Sequence, residues 1–199
     1  MTGNRTRTVE AYDAYAPTYA ELTRDGHPQT RMAIERFAHE VGAGAGVLEL
    51  ASGPGWDADA LEALGLTVVR TELSDGFIRL QRARGKGIER LDLVTEDLGG
   101  PWDGIVALYV MQHVERSETA DVLTRIAVAL KPGALLLTSF QEGAGERDQT
   151  GSEGGTYRVI RRSESEVAAA AATAGLILTW RHAFEGDDAR WILLIARRP

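Results

Sequence analysis

The 199-residue chain has no cysteine, which excludes disulfides and thiolate metal sites and makes the cytoplasm the expected compartment. It has no apolar run approaching the roughly 18 to 20 residues of a membrane-spanning helix, and its opening MTGNRTRTVE lacks the apolar stretch of a signal peptide. Positive charge is in short supply: 22 lysines and arginines face 29 aspartates and glutamates, a net charge of −7. Sequence-independent nucleic-acid binding needs a basic footprint that releases counterions from phosphates, so a nucleic-acid partner is disfavoured. No His/Asp/Glu cluster has the spacing of metal ligands, so no metal is expected. What remains is ordinary for one globular domain over residues 1–199, at 44% apolar and 26% charged residues. A helical cap over 1–44 is expected to precede a core over 45–199, and the assembly to be a monomer or homodimer.

The core shows a regular alternation. The runs VLEL, LTVVRT, LDLVT, GIVALYV, ALLLTSF, GLILTW and RWILLIA are short and apolar, the pattern of strands buried on both faces. Segments of helical period separate them. Asp57 to Leu64 turns Leu61 and Leu64 inward, and Ser74 caps Asp75 to Arg84. Glu118 to Leu130 repeats Val122, Leu123, Ile126 and Ala127, and Glu164 to Ala174 opens on a Ser163 and Glu166 capping box. This alternation predicts an α/β fold with a mostly parallel sheet covered on both sides. Before the first strand, VEAYDAYAPTYAEL places Tyr12, Tyr15 and Tyr19 at helical spacing, with Pro17 as the expected break. HPQTRMAIERFAHEVG follows as an amphipathic helix. Residues 141–156, glycine-rich and without an apolar cluster, read as a mobile loop over the sheet's edge.

In an open parallel sheet, ligands bind beyond the carboxyl ends of the strands, and the turn after the first strand is the usual cradle. Here that turn lies in VLELASGPGWDADAL, residues 47–61, with Gly53 and Gly55 two apart. Glycines there permit a tight turn and let a sugar or carboxylate approach backbone N–H groups, although they also serve turns that bind nothing. Glu72 ends the second strand, where a carboxylate is placed to accept both ribose hydroxyls of an adenosine-type ligand. In LVTEDL, Asp97 offers an acceptor for an adenine amino group, with Asp92 and Glu96 close by.

In order and spacing, VLELASGPG, VVRTELS, TEDLGGPWDGIVALYVMQHV and ALKPGALLLTSF resemble the class I S-adenosylmethionine-dependent methyltransferases. YDAYAPTYAEL is similar to the amino-terminal segment of their small-molecule branch, and the resemblance covers residues 9–198. It implies a Rossmann-like, doubly wound, mostly parallel sheet of seven strands with helices on both faces. It implies S-adenosylmethionine as cofactor and transfer of its methyl group to oxygen, nitrogen or carbon of a small-molecule acceptor. By the same resemblance, Glu49, Gly53 and Gly55, with Ala51 in the intervening backbone, shape the methionine end of the cofactor site. Glu72 binds the ribose, Leu73 flanks the adenine with Asp97 and Leu98 on its other side, and Tyr109 lines the methionine moiety. Tyr12 and Tyr19 match tyrosines that close over the cofactor, and His113 takes the place of the second histidine of the family's HH pattern. Ala51 stands where the family usually has glycine, so a left-handed backbone there is strained. The pattern Gly53, Gly55, Ala58 leaves a dinucleotide site open, but the downstream segments favour methyl transfer.

A sulfonium methyl is already activated, so positioning an in-line nucleophile and excluding water are the main requirements. For an acceptor that must lose a proton, His113 is the best base candidate, and Tyr19 is placed to orient acceptor or cofactor. Both residue types also serve purely structural roles. His27 edges the expected pocket, His39 lies on a solvated face, and His182 has no evident partner. Arg158, Arg161 and Arg162 flank the glycine-rich segment, where they either bind an acidic acceptor or stay solvated. Two other functions suit the same fold: cyclisation of S-adenosylmethionine or of a natural-product substrate, and non-catalytic adenosyl binding.

Overall fold

The computed structural model describes residues 3–150, 155–186 and 189–199. Its strands are β1 (Gly46–Glu49), β2 (Thr67–Glu72), β3 (Glu89–Arg90), β4 (Trp102–Ala107), β5 (Leu130–Gln141), β6 (Glu146–Thr150), β7 (Thr156–Ile160), β8 (Ile177–Glu185) and β9 (Arg190–Arg197). Its helices are α1 (Gly3–Leu22), α2 (Pro28–Val41), α3 (Trp56–Ala63), α4 (Asp75–Ala83), α5 (Thr119–Ala129) and α6 (Glu164–Thr173). Seven strands make the central sheet in the order β3-β2-β1-β4-β5-β9-β8. β9 alone runs against its neighbours, so the sheet is mostly parallel, as the alternation of strands and helices requires.

Each face of the sheet buries its own core. On one side Ile34, Phe37 and Leu61 of α2 and α3 pack on Val47, Val106, Leu135 and Ile195. Phe37 lies so close to β4 that a Cβ at Gly104 would come within 2.6 Å of its ring, so glycine is the residue that fits there. On the other side Val122, Ile126, Val167 and Ala171 of α5 and α6 pack on Leu48, Ile105, Leu136 and Phe140. The expected caps form: Ser74 accepts from the Phe77 N–H, and Ser163 with Glu166 closes a capping box.

Leu64, expected to face inward, is 43% exposed at the end of α3, and four further expectations change. Pro17 does not break α1, which runs continuously from Gly3 to Leu22. A proline withdraws the N–H that the carbonyl four residues earlier would have received, here that of Asp13. α4 docks at that point: a Cβ on Gly76 would lie 2.7 Å from the Asp13 carbonyl oxygen, and the Asp13 side chain accepts from Ser74 Oγ (2.6 Å) and Gly76 N–H (2.9 Å). The third strand shrinks to Glu89–Arg90, because the Asp92 carboxylate captures Val94 N–H and Thr95 Oγ1 at 3.0 and 2.9 Å and turns LDLVT out of the sheet. β8 is an edge strand rather than one buried on both faces, with Ile177 57% exposed. Residues read as a loop include the paired strands β6 and β7; residues 151–154 of that stretch lie outside the described residues. Among the described residues no helix is long and apolar enough to cross a membrane.

Candidate active site

A cavity of about 530 Å³ opens beyond the carboxyl ends of β1, β2, β4 and β5, the position where an open α/β sheet changes winding direction. Its walls divide by strand. Ala51 to Pro54, Glu72 to Ser74 and Asp92 to Val94 form the half over β1, β2 and β3. The other half, over β4, β5 and β9, is lined by Tyr109, Gln141 and Trp191, with His27 and Thr30 from the start of α2 and Phe184 from β8. Tyr12 and Tyr19 reach into it from α1.

The glycine turn is built from below. Gly55 adopts a left-handed φ of 85° to start α3, and a Cβ there would sit 2.7 Å from both the Arg70 guanidinium and the Gln81 amide. Those two side chains hold the turn: Gln81 Nε2 donates to Gly53 O (2.8 Å) and Ser52 Oγ (2.9 Å), and Arg70 donates to Gly55 O (3.2 Å). Three of the loop N–H groups are taken as well, Ser52 by Thr71 O, Gly55 by Ser52 O and Gly53 by Glu72. These three N–H groups are therefore not open to a ligand. Gly55 is absent from the cavity wall and serves the turn. Gly55→Ala is expected to cost about 1.5 kcal/mol through backbone strain and displacement of Arg70, read as a lowered denaturation midpoint at unchanged m-value.

Glu72 sits at the cavity wall, as expected, but three backbone donors already engage it: Gly53 N–H (2.8 Å) on Oε2, and Leu73 (2.7 Å) and Ser74 (2.9 Å) on Oε1. A carboxylate has about four acceptor sites, so one remains, enough for one ribose hydroxyl and not two. Leu73 lines the cavity too. Asp97 and Leu98 do not: Asp97 Oδ1 accepts from Gly99 N–H and Leu98 is 4% exposed within the core. The early end of β3 brings Asp92 and Leu93 to the wall in their place. Asp92 also anchors α1, accepting from Arg5 at 2.9 Å.

His113 lies in the cavity wall with its ring nitrogens occupied. Nδ1 is 3.1 Å from Arg158 O, which only accepts, so Nδ1 carries the proton and Nε2 receives the Tyr12 hydroxyl at 3.1 Å. Burial pushes the imidazole down to about 4. A base that weak, with its lone pair already engaged, is poorly suited to take a proton near neutral pH. The geometry gives His113 a positioning role on Tyr12, which also stacks on Tyr157 (5.3 Å) and meets Tyr19 edge-on (5.8 Å). Burial, first of all, raises the Tyr12 and Tyr19 phenols above their ordinary value, so both stay neutral donors.

The centre of the cavity carries strain and charge. Ala51 and Tyr109, with φ of 54° and 55°, are the positive-φ residues other than glycine among the described residues, and both face the cavity. Such conformations cost on the order of 1–3 kcal/mol each and cluster at functional sites. Tyr109 is held by Ser139 Oγ on its N–H (2.7 Å), a hydroxyl contact with Thr30, and the Trp191 ring edge-on at 4.8 Å. Glu49 lies beneath the loop, 3% exposed and absent from the cavity wall, with Oε2 unpartnered. Burial, then the charge of Asp57, pushes its carboxyl up to about 8. Asp57, in the first turn of α3, was readable only as a helix start, yet it faces the cavity, and burial pushes it up to about 6.

The remaining candidates separate. His27 caps α2, stacks on Phe184 at 4.4 Å and lines the cavity. His39 is exposed, and His182 stacks with Trp180 and Phe184 along β8. Arg158 pairs with Glu146 and Asp148. Arg162, 2% exposed, is a buried staple rather than a solvated side chain.

Among known proteins, residues 48–136 match the family model described as a methyltransferase domain. The demethylmenaquinone methyltransferase of Clavibacter sepedonicus is 30% identical over 135 residues, 64% of this chain and 54% of that protein. The chain thus spans about half the length of that relative. Magnesium protoporphyrin IX methyltransferase from Synechocystis PCC 6803, solved with bound S-adenosylmethionine, matches with a TM-score of 0.77 at 15% identity, covering 100% of this chain and 99% of that one. The 1,6-didemethyltoxoflavin-N1-methyltransferase of Burkholderia thailandensis, solved with its namesake ligand and S-adenosylhomocysteine, matches at 0.75 and 18%, covering 97% and 88%. At these identities the likeness is one of fold.

Proposed function

We propose that the chain is a class I S-adenosylmethionine-dependent methyltransferase that methylates a small-molecule acceptor on oxygen, nitrogen or carbon. The observation that carries the reading is the convergence of the strained Ala51 loop, Glu72, Tyr109 and two α1 tyrosines on one cavity within or beside the matched segment. The cofactor bound in the Synechocystis structure supports S-adenosylmethionine here.

The residues fit that group. The remaining acceptor site of Glu72 suits a ribose hydroxyl, Leu73 and Leu93 provide apolar walls for a purine, and Asp92 stands beside them. Ala51, Gly53 and Tyr109 border the space for the methionine end. When bound, the cofactor supplies a sulfonium-activated methyl group. The chain's task is then to align acceptor and methyl carbon and keep water out, and alignment of this kind lowers barriers by roughly 7–11 kcal/mol in favourable cases. Tyr12 and Tyr19 cover the site from α1, Tyr12 held by His113, which positions rather than abstracts a proton. We place the protein in the cytoplasm, which its cysteine-free composition supports, and expect a monomer or homodimer.

Incubation with S-adenosylmethionine and pooled acceptors, read by mass spectrometry, tests the function. The expected result is one product heavier by a single methyl, with equimolar S-adenosylhomocysteine. Release of methylthioadenosine, or an acceptor isomerised at unchanged mass, would assign the fold to cyclisation instead.

A further inference from the structure

We infer that the acceptor half of the cavity selects an amine or an N–H-bearing heterocycle over any carboxylate or phosphate, with Asp57 as the group that recognises it. The inference rests on the methyltransferase reading for the word acceptor, but its basis is the charge inventory of the walls. Four acids line the cavity, Asp25, Asp57, Glu72 and Asp92, against the single arginine Arg5. Arg5 is already committed, at 2.9 Å to Asp92 and 2.7 Å to Glu118. His113 is neutral for the reasons given above. Of the arginines around the β6–β7 pair, Arg158 is spent on Glu146 and Asp148, Arg162 on main-chain carbonyls and Thr119, and Arg190 on Glu142 and Glu185, while Arg161, with Nε unpartnered, does not line the cavity. At the cavity wall an anionic acceptor would meet four carboxylates, offset only by Arg5, which is already paired, and by the rings of His27 and His113, and a buried unpaired charge is strongly disfavoured.

The acids themselves are unequal. Backbone or side-chain donors engage both carboxylate oxygens of Glu72 and of Asp92. Asp25 is exposed at the α1–α2 connection. Asp57 faces the cavity from α3 and has no hydrogen-bond or ion-pair partner among the described residues, while its charge is felt by the Tyr19 and Tyr109 phenols on either side. Its acceptor capacity is therefore unspent, and a donor-bearing ligand would satisfy it. Gln141 adds a second unmet acceptor in the same half, its buried Oε1 lacking any partner. The walls favour a flat molecule: His27 stacks on Phe184, and Tyr109 meets Trp191 edge-on.

The test uses protein saturated with S-adenosylhomocysteine and three probes on one aromatic frame: tryptamine, indole and indole-3-acetate. Saturation-transfer NMR ranks them on wild type and on Asp57→Asn. Tryptamine and indole are expected to bind and indole-3-acetate not, and Asp57→Asn is expected to weaken tryptamine about tenfold or more with S-adenosylhomocysteine affinity unchanged. Three results would overturn the inference: indole-3-acetate binding wild type as well as tryptamine does, none of the probes binding, or Asp57→Asn lowering S-adenosylhomocysteine affinity while the probe ranking stays, which would give Asp57 to the cofactor's own ammonium. The wild-type ranking stands whether or not the variant folds. Failure of S-adenosylhomocysteine to bind at all is a separate outcome that strikes the methyltransferase reading, and the ranking is then measured on unliganded protein.

Discussion

Arg162→Met is expected to destabilise the protein by about 3 kcal/mol, in the range for removing one partner from a buried charged network. Arg162 donates from one nitrogen to Met111 O (2.9 Å) and from the other to Val114 O (2.6 Å) and Thr119 Oγ1 (2.7 Å). No carboxylate bonds it, so carbonyl oxygens and the Thr119 hydroxyl hold the charge directly, and burial followed by repulsion from Arg116 brings the guanidinium down to about 10. Methionine keeps much of the volume but leaves those acceptors without a donor. At a scale of roughly 2–4 °C per kcal/mol for chains of this size, the melting temperature should fall on the order of 10 °C. The staple also fixes the turns that follow Tyr109 and carry His113, so the variant should bind cofactor more weakly even where it remains folded. A loss below about 0.5 kcal/mol, the scale of an ordinary surface change, would mean the network is dispensable.

Unliganded protein should lose about 2 kcal/mol of stability as the pH rises from 6.5 to 8, and Glu49→Gln should abolish that loss. Glu49 titrates at about 8 when folded against 4.5 as its ordinary value, so between those values the folded state binds the extra proton. Stability must then fall with rising pH across that window and level off above it. Asp57 acts in the same sense, but only up to about 6. His113 works oppositely between about 4 and 6.5, where the unfolded chain holds the proton and stability rises with pH. Above 6.5 Glu49 contributes a proton difference that falls from nearly one at pH 6.5 to one half at pH 8, and at about 1.4 kcal/mol per unit this gives roughly 1.6 kcal/mol, the stated loss to the nearest unit. Denaturant midpoints across this range check it; a flat wild-type profile would show Glu49 already ionised.

The sheet, its order of elements and most caps were legible because they follow from hydrophobic period and from side chains that bond their own backbone, as at Ser74 and Ser163. Pro17 misled because the cost of a missing donor depends on what its orphaned carbonyl meets, here the glycine of another helix. LDLVT misled because the apolar run is real while the Asp92 side chain competes with the ladder, and this is why Asp97 and Leu98 were expected at the wall that Asp92 and Leu93 line. Glu72, Gly53, Tyr12, Tyr19 and Tyr109 come together at the cavity wall as the sequence resemblance implied. Asp57 and Gln141 were silent, since an acid opening a helix and a glutamine ending a strand are ordinary until folding closes a cavity around them. Arg162 was silent for the same reason: its three partners come from residues 43 to 51 positions earlier in the chain.

The most direct measurement is a calorimetric titration of S-adenosylhomocysteine into the wild type and Glu72→Ala. One site per chain is expected, weakened about 10- to 100-fold in the variant, the size of hydrogen bonds to a charged acceptor together with the loop donors it orders. Absence of binding by the wild type, or equal binding by both proteins, would contradict the assignment of this cavity to an adenosyl cofactor.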